Sequence, residues 1–232
     1  MSRGSRSIAE NIELVRDKIE RAASRSRRSP EEIKLVAVSK RVPVEFIQEA
    51  YAAGIRHFGE SRVQEWESKA RILAEVAATW HLIGHLQRNK AARAASLFHT
   101  IDTVDSLPLA ERLDRAVGEG RRLPVLLEIR LDMHGAKSGC PPEEAARVGD
   151  GLLELPRLEW SGLLTIAPII ENPEDARPVF RRLREIRDRL AEQLDWALPE
   201  LSMGMSHDFE IAIEEGATQV RIGTAIFGVR SV

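Results

Sequence analysis

The sequence predicts an α/β protein, a (β/α)8 TIM barrel preceded by one extra helix. Three observations carry that expectation. Short apolar or β-branched runs recur eight times, stretches with helical periodicity lie between them, and no linker, low-complexity segment or internal repeat breaks the 232 residues. Strands alternating with helices form parallel βαβ units, and closing eight of them leaves no exposed sheet edge. A doubly wound open sheet is the alternative. Barrels of this length commonly form one unit, so residues 1–232 are read as a single domain.

The strand candidates are Lys34–Lys40, His57–Glu60, Trp80–Gly84, Phe98–Val104, Pro124–Leu131, Trp160–Ala167, Leu201–Ser206 and Gln219–Gly223. The segment Pro43–Ala53 opens with proline, whose missing N–H costs nothing in a first helical turn, and Gly54 ends it. Ser61–Val76 places Val63, Trp66, Ala70 and Leu73 on one face at spacings of three and four. Leu107–Val117, Pro142–Leu153, Pro173–Leu194 and Asp208–Glu215 behave alike. The extra helix, Ser7–Ala23, carries Ile8, Ile12, Val15 and Ile19 as an apolar stripe. Arg21, Arg25, Arg27 and Arg28 read as a solvated helix end, and Arg181–Arg189, interleaved with Glu185 and Asp188, as a salt-bridged helix exterior.

Composition narrows the class. Hydrophobic residues make up 43% and charged residues 30%, with a formal net charge of -2, so nothing calls for a nucleic-acid or membrane partner. Neither arginine run carries the interleaved aromatics that stack on bases. No apolar stretch approaches the ~18 residues of a membrane span, and no apolar run follows the N-terminal arginines as in a secretory signal. A single cysteine, Cys140, allows no internal disulfide. The expected location is the cytoplasm.

In such a barrel, functional groups gather where the strands end. Lys40 closes the first apolar run. A lysine there is either a snorkelling surface charge or, desolvated in the mouth, an amine neutral enough to attack an aldehyde. At the far end of the chain, Gly204, Met205 and Ser206 follow strand seven, and Gly223 and Thr224 follow strand eight. These are the two loops with which barrels frequently hold a phosphate, and glycine lets an anion approach backbone N–H groups. The alternative is that Ser206 merely caps a helix and Gly223 merely turns. Arg221 lies on strand eight beside them. A barrel-lining guanidinium needs an anion or acceptor: a pyridine nitrogen, which it would leave unprotonated, or a carboxylate such as Asp102.

The segments KLVAVSK (Lys34–Lys40), HFGESRVQE (His57–Glu65), WHLIGHLQRNK (Trp80–Lys90), KSG (Lys137–Gly139) and LSMGMSHDFEIAIEEGATQVRIGTAIFG (Leu201–Gly228) resemble the pyridoxal-phosphate homeostasis protein family, whose barrel is that of alanine racemase. The resemblance runs from about Ile8 to Gly228. It implies pyridoxal 5′-phosphate (PLP) as cofactor, held as a Schiff base on Lys40. Arg221 would lie near the pyridine nitrogen, with Ser206, Gly223 and Thr224 on the phosphate and Met205 and Gly204 shaping that loop. Ser61 stands where the family commonly has asparagine near the cofactor, and its shorter reach bears on that contact. Leu164 stands where methionine is common, a volume-conserving exchange. The implied role is control of the intracellular PLP pool, with effects on amino-acid and keto-acid metabolism and with PLP-dependent apoenzymes as partners.

Other candidates carry less. His81 and His85 have the spacing of a zinc helix, but Leu82 replaces the glutamate of HExxH, so no metal is expected. His57, His99, His134 and His207 are scattered, and Cys140 lacks a base. A PLP-dependent racemase or decarboxylase is the main alternative function. Two-base racemisation needs a second acid/base group, and the only tyrosine, Tyr51, falls on the helix after strand one. Binding without robust turnover is therefore expected. A Schiff-base aldolase acting on a sugar phosphate is the third possibility.

Overall fold

The computed structural model describes residues 6–132, 138–168 and 170–228. Eight parallel strands close into a barrel in chain order: β1 (Lys34–Val38), β2 (His57–Glu60), β3 (Thr79–Leu82), β4 (Thr100–Val104), β5 (Leu123–Glu128), β6 (Leu158–Leu164), β7 (Glu200–Ser202) and β8 (Gln219–Ile222). Around them lie α2 (Val44–Ala52), α3 (Val63–Ala70), α4 (Ala91–Leu97), α5 (Leu107–Ala116), α6 (Ala145–Leu153), α7 (Arg177–Leu194), α8 (Phe209–Glu214) and α9 (Thr224–Phe227). The extra helix α1 (Ile8–Arg25) packs against α2, α8 and α9.

β2 coincides with its predicted run; the other strands are shorter than theirs, and in all of these but β4, which starts later, pairing stops before the run ends as the chain turns over the rim. The predicted helix Ser61–Val76 narrows to α3, and Asp208–Glu215 narrows to α8. The segment α4 went unassigned in the sequence. Its buried contacts are Ala91, Ala94 and Ala95, strong helix formers that give little hydrophobic contrast.

Alternation along each strand divides the core in two. Ala37, Phe58 and Trp80 face the helices, where the Trp66 and Trp80 rings stack at 3.8 Å and Trp66 Nε1 donates to the Leu97 carbonyl at 3.0 Å. Val36, Val38, Leu126 and Leu164 are buried outside that helix-facing cluster and line the interior. Each such side chain is worth about 1.5–3 kcal/mol on burial.

α1 begins at a reciprocal cap, with Ser7 Oγ accepting from Glu10 N–H and the Glu10 carboxylate accepting from Ser7 N–H at 2.8 Å. Its basic end is not simply solvated. Arg25 pairs with Glu210 and Glu214 of α8, and Arg28 donates to the Ala217 carbonyl at 2.7 Å. The arginines of α7 also differ from expectation. Arg182 pairs with Glu185 and Arg187 with Asp188, but Arg177, Arg181 and Arg184 converge on Glu215 just after α8. Among the described residues, no helix is long and apolar enough to cross a membrane.

Candidate functional site

Strand registers place Lys40. Val38 pairs with Gly59 of β2, and Val36 pairs with Arg221 of β8. Ser39 N–H still bonds the Gly59 carbonyl at 2.9 Å, so Lys40 opens the turn directly above β1, at the same end of the barrel as Ser61 after β2 and Gly223–Thr224 after β8. Lys40 itself is exposed.

Its neighbours are pinned. Ser39, fully buried, donates to Glu60 Oε1 at 2.8 Å, and the Lys69 ammonium donates to the Ser39 carbonyl at 2.9 Å and to Glu60 Oε1 at 3.0 Å. Arg41, at φ 57°, donates its N–H to Glu65. Burial pushes the Glu60 carboxyl above its ordinary range, against the pull of Lys69.

Across β8 the loops after β7 and β8 are stitched together. Arg221 N–H donates to the Gly204 carbonyl at 3.0 Å. Gly204 sits at φ +92°, where an added Cβ would come 2.6 Å from Ala212 Cβ and 2.9 Å from Phe209 Cα, so glycine alone fits. Met205 N–H donates to Asp208 Oδ1 at 2.6 Å, shaping the turn into α8. Ser206 Oγ accepts from Gly223 N–H at 3.2 Å and from Ala225 N–H at 3.3 Å. It is therefore not the N-cap of α8; it faces the start of α9. Thr224 is exposed beside it. Thus Ser206, Gly223 and Thr224 come together, with Met205 behind them, while Ser61 lies on the other flank of Lys40.

Arg221 lies inside the barrel, 5% exposed. The alternative ion pair with Asp102 does not form. Its Nη1 donates to Ser202 Oγ at 2.6 Å and its Nη2 to the Thr165 carbonyl at 2.9 Å. Burial works against its charge, and the fields of Asp102, Glu128 and Asp208 push back.

Below it runs a polar chain that sequence reasoning missed. Gln219 Nε2 donates to Ser202 Oγ at 2.9 Å and to Asp102 Oδ2 at 2.6 Å. Asp102 also accepts from Thr100 Oγ1 at 2.7 Å and bonds His81 Nδ1 at 3.0 Å, and His81 Nε2 lies 3.1 Å from His57 Nδ1. Burial opposes the Asp102 charge, yet His81, Thr100 and Gln219 outweigh it and hold the carboxyl below its ordinary value. Burial and the His81 charge push His57 down to about 4. His57 pairs with Thr79, two residues before His81, so the two histidines share the interior face of neighbouring strands, and only the pairing of β2 with β3 brings them together.

The remaining candidates fall elsewhere. His81 is a strand residue in this chain rather than half of a zinc helix. Among the described residues, no group of three or more potential ligands could hold a metal ion. Cys140 is buried in a bridge with Ile129, and burial pushes its thiol up to about 11, far from a thiolate nucleophile. His134 and Lys137 of the KSG segment lie outside the described residues. Tyr51 stacks on the Arg56 guanidinium at 4.4 Å, near where β2 begins and so away from the mouth. A cavity of about 840 Å3 opens at that same N-terminal end, beside Lys34 and His57; barrel chemistry gathers at the opposite end.

The family model described as "Alanine racemase, N-terminal domain" matches residues 7–231. The pyridoxal phosphate homeostasis protein of Aquifex aeolicus is 44% identical over 95% of this chain and 97% of its own length. The chain belongs to the pyridoxal phosphate homeostasis protein family. Its Escherichia coli member is 43% identical over 96% of this chain and 97% of its own. Among solved family members, PipY of Synechococcus elongatus, with PLP bound, is 42% identical and superposes with a TM-score of 0.81, covering 91% of this chain and 100% of PipY.

Proposed function

We propose that this chain binds PLP as a Schiff base on Lys40 and acts in intracellular PLP homeostasis in the cytoplasm, with effects on amino-acid and keto-acid metabolism. The observation that carries the reading is the placement of Lys40 on one rim beside the Ser206–Gly223–Thr224 turn, with Arg221 just inside. Names and a bound ligand among the relatives point the same way.

The residues present fit the cofactor. Gly204 removes the Cβ that would crowd the β7 loop, and N–H groups of Gly223 and Ala225 already point at an oxygen, that of Ser206. In the reading, these groups and the Thr224 hydroxyl hold the phosphate. Ser61 borders the ring from the opposite flank, and Met205 shapes the loop. When bound, PLP supplies a reactive aldehyde on an electron-withdrawing ring. Arg221 keeps its proton under all ordinary conditions, so an acceptor nitrogen facing it stays unprotonated, and the ring is a weaker electron sink. Tyr51, stacked on Arg56, is no second base for the mouth. Holding and releasing PLP, rather than robust turnover, follows from both features. PLP-dependent apoenzymes are the natural recipients, and residues 1–232 act as one domain in this reading.

Titration of the purified chain with PLP tests the proposal. The expected result is a saturable visible band that borohydride removes and that Lys40→Ala does not form. A wild-type protein that takes up no PLP contradicts it.

A further inference from the structure

On the flank of Lys40 away from the Gly223–Ala225 turn lies a cavity of about 240 Å3, between the segment after β2 (Ser61–Gln64) and the segment after β3 (His85–Lys90). Three of its lining residues are basic (Arg62, His85 and Lys90) and none carries a carboxylate. Leu82 and Leu86, 1% and 2% exposed, give it an apolar floor.

Of the nearby carboxylates, one is engaged outside the cavity and the other with His85 of its lining. Glu65 accepts from Lys69 at 2.8 Å and from the Arg41 N–H, and Asp105 holds His85 at 3.3 Å. Among the described residues, neither the Arg62 guanidinium nor the Lys90 ammonium makes an ion pair or a side-chain hydrogen bond. Lys90 is half-buried all the same. Arg62 and Lys90, two cations beside a cavity whose own lining carries no carboxylate, attract an anion.

The walls are also set in place. A Cβ on Gly84 would lie 2.3 Å from the Ser61 carbonyl oxygen and 2.8 Å from Ser61 Cα, so the two segments touch backbone to backbone. Ile83 N–H donates to the Glu60 carbonyl at 2.9 Å, and Thr103 Oγ1 donates to the Gly84 carbonyl at 2.8 Å. The cavity is smaller than the roughly 300–1,000 Å3 of a whole-ligand pocket. Its apolar floor suits a short carbon chain better than bare phosphate.

We infer that this cavity is a carboxylate subsite, taking a small amino or 2-oxo acid at the edge of the mouth beside Lys40. The placement of such an acid next to Lys40 rests on the proposed function; its binding does not.

Amide chemical shifts of the full-length, cofactor-free chain titrated with pyruvate test the inference. Saturable shifts are expected in residues 61–64 and 84–90, none with the neutral pyruvamide, and a dissociation constant raised about tenfold or more in Arg62→Gln/Lys90→Gln. A native-like spectrum of the double variant shows that it folds. Absent shifts, unchanged affinity in the folded double variant, or tighter binding of inorganic phosphate at the same amides would overturn the assignment. The pyruvate shifts should persist in Lys40→Ala; their disappearance would mean that pyruvate engages Lys40 itself and would also overturn it. Whether Lys40→Ala takes up PLP is read separately, by absorbance, and judges only the reading of Lys40.

Discussion

Arg221 Nη1 donates to Ser202 Oγ at 2.6 Å, and this contact joins the barrel mouth to the polar chain below it. Ser202 Oγ is also the acceptor for Gln219, whose amide holds Asp102. One buried hydroxyl therefore supports both the guanidinium and the amide that reaches the chain's anion.

Ser202→Ala removes an acceptor from a buried charge. A hydrogen bond to a charged group is worth about 1.5–3 kcal/mol, and the Gln219 donor loses its partner too. Urea unfolding should show a loss of about 2–3 kcal/mol with an unchanged m-value. A loss below about 0.5 kcal/mol would show that Arg221 does not depend on this oxygen.

The acid response should begin at His57. Its folded pKa, about 4, lies below the unfolded value of about 6.5. The unfolded chain then binds the proton first, so stability present above about pH 6.5 is lost as pH falls toward 4. NMR titration of the His57 ring should give a midpoint near 4, and His57→Asn should flatten the stability profile in that window. A midpoint near 6.5 would contradict the buried chain.

The arginines of α7 differ in worth according to what they share. Glu215, 5% exposed, accepts from Arg177, Arg181 and Arg184. Arg181, half exposed, should cost only about 0–1 kcal/mol when changed to alanine. Glu215→Ala removes the carboxylate shared by Arg181 and Arg184, while Arg177 keeps Glu174 and Glu214, and should cost about 1–3 kcal/mol. Equal losses in thermal melts would argue against a clamp.

Ser206→Ala with Thr224→Val tests the phosphate reading. Each hydrogen bond to a charged phosphate is worth about 1.5–3 kcal/mol, so equilibrium dialysis should show PLP affinity reduced at least about tenfold. Unchanged affinity would remove these two residues from the site.

Much of this was legible in the sequence, for a physical reason. Barrel strands announce themselves as apolar runs, and the loop glycines and Lys40 sit at the ends of those runs. The polar interior was not legible. His57, His81, Asp102, Ser202 and Gln219 belong to five different strands, and only closure of the barrel brings them within bonding distance. Arg221 illustrates the limit. Its need for a buried partner could be read from its position, but the choice of Ser202 and Thr165 over Asp102 depends on strand stagger. α4 escaped because alanine packs well while contributing little hydrophobic contrast.

Peptide mapping by mass spectrometry, after borohydride reduction of the PLP-treated chain, tests the central claim most directly. A pyridoxyl group confined to Lys40 is the predicted result. A fully reduced, stoichiometric adduct on any other lysine, or none at all, would contradict it.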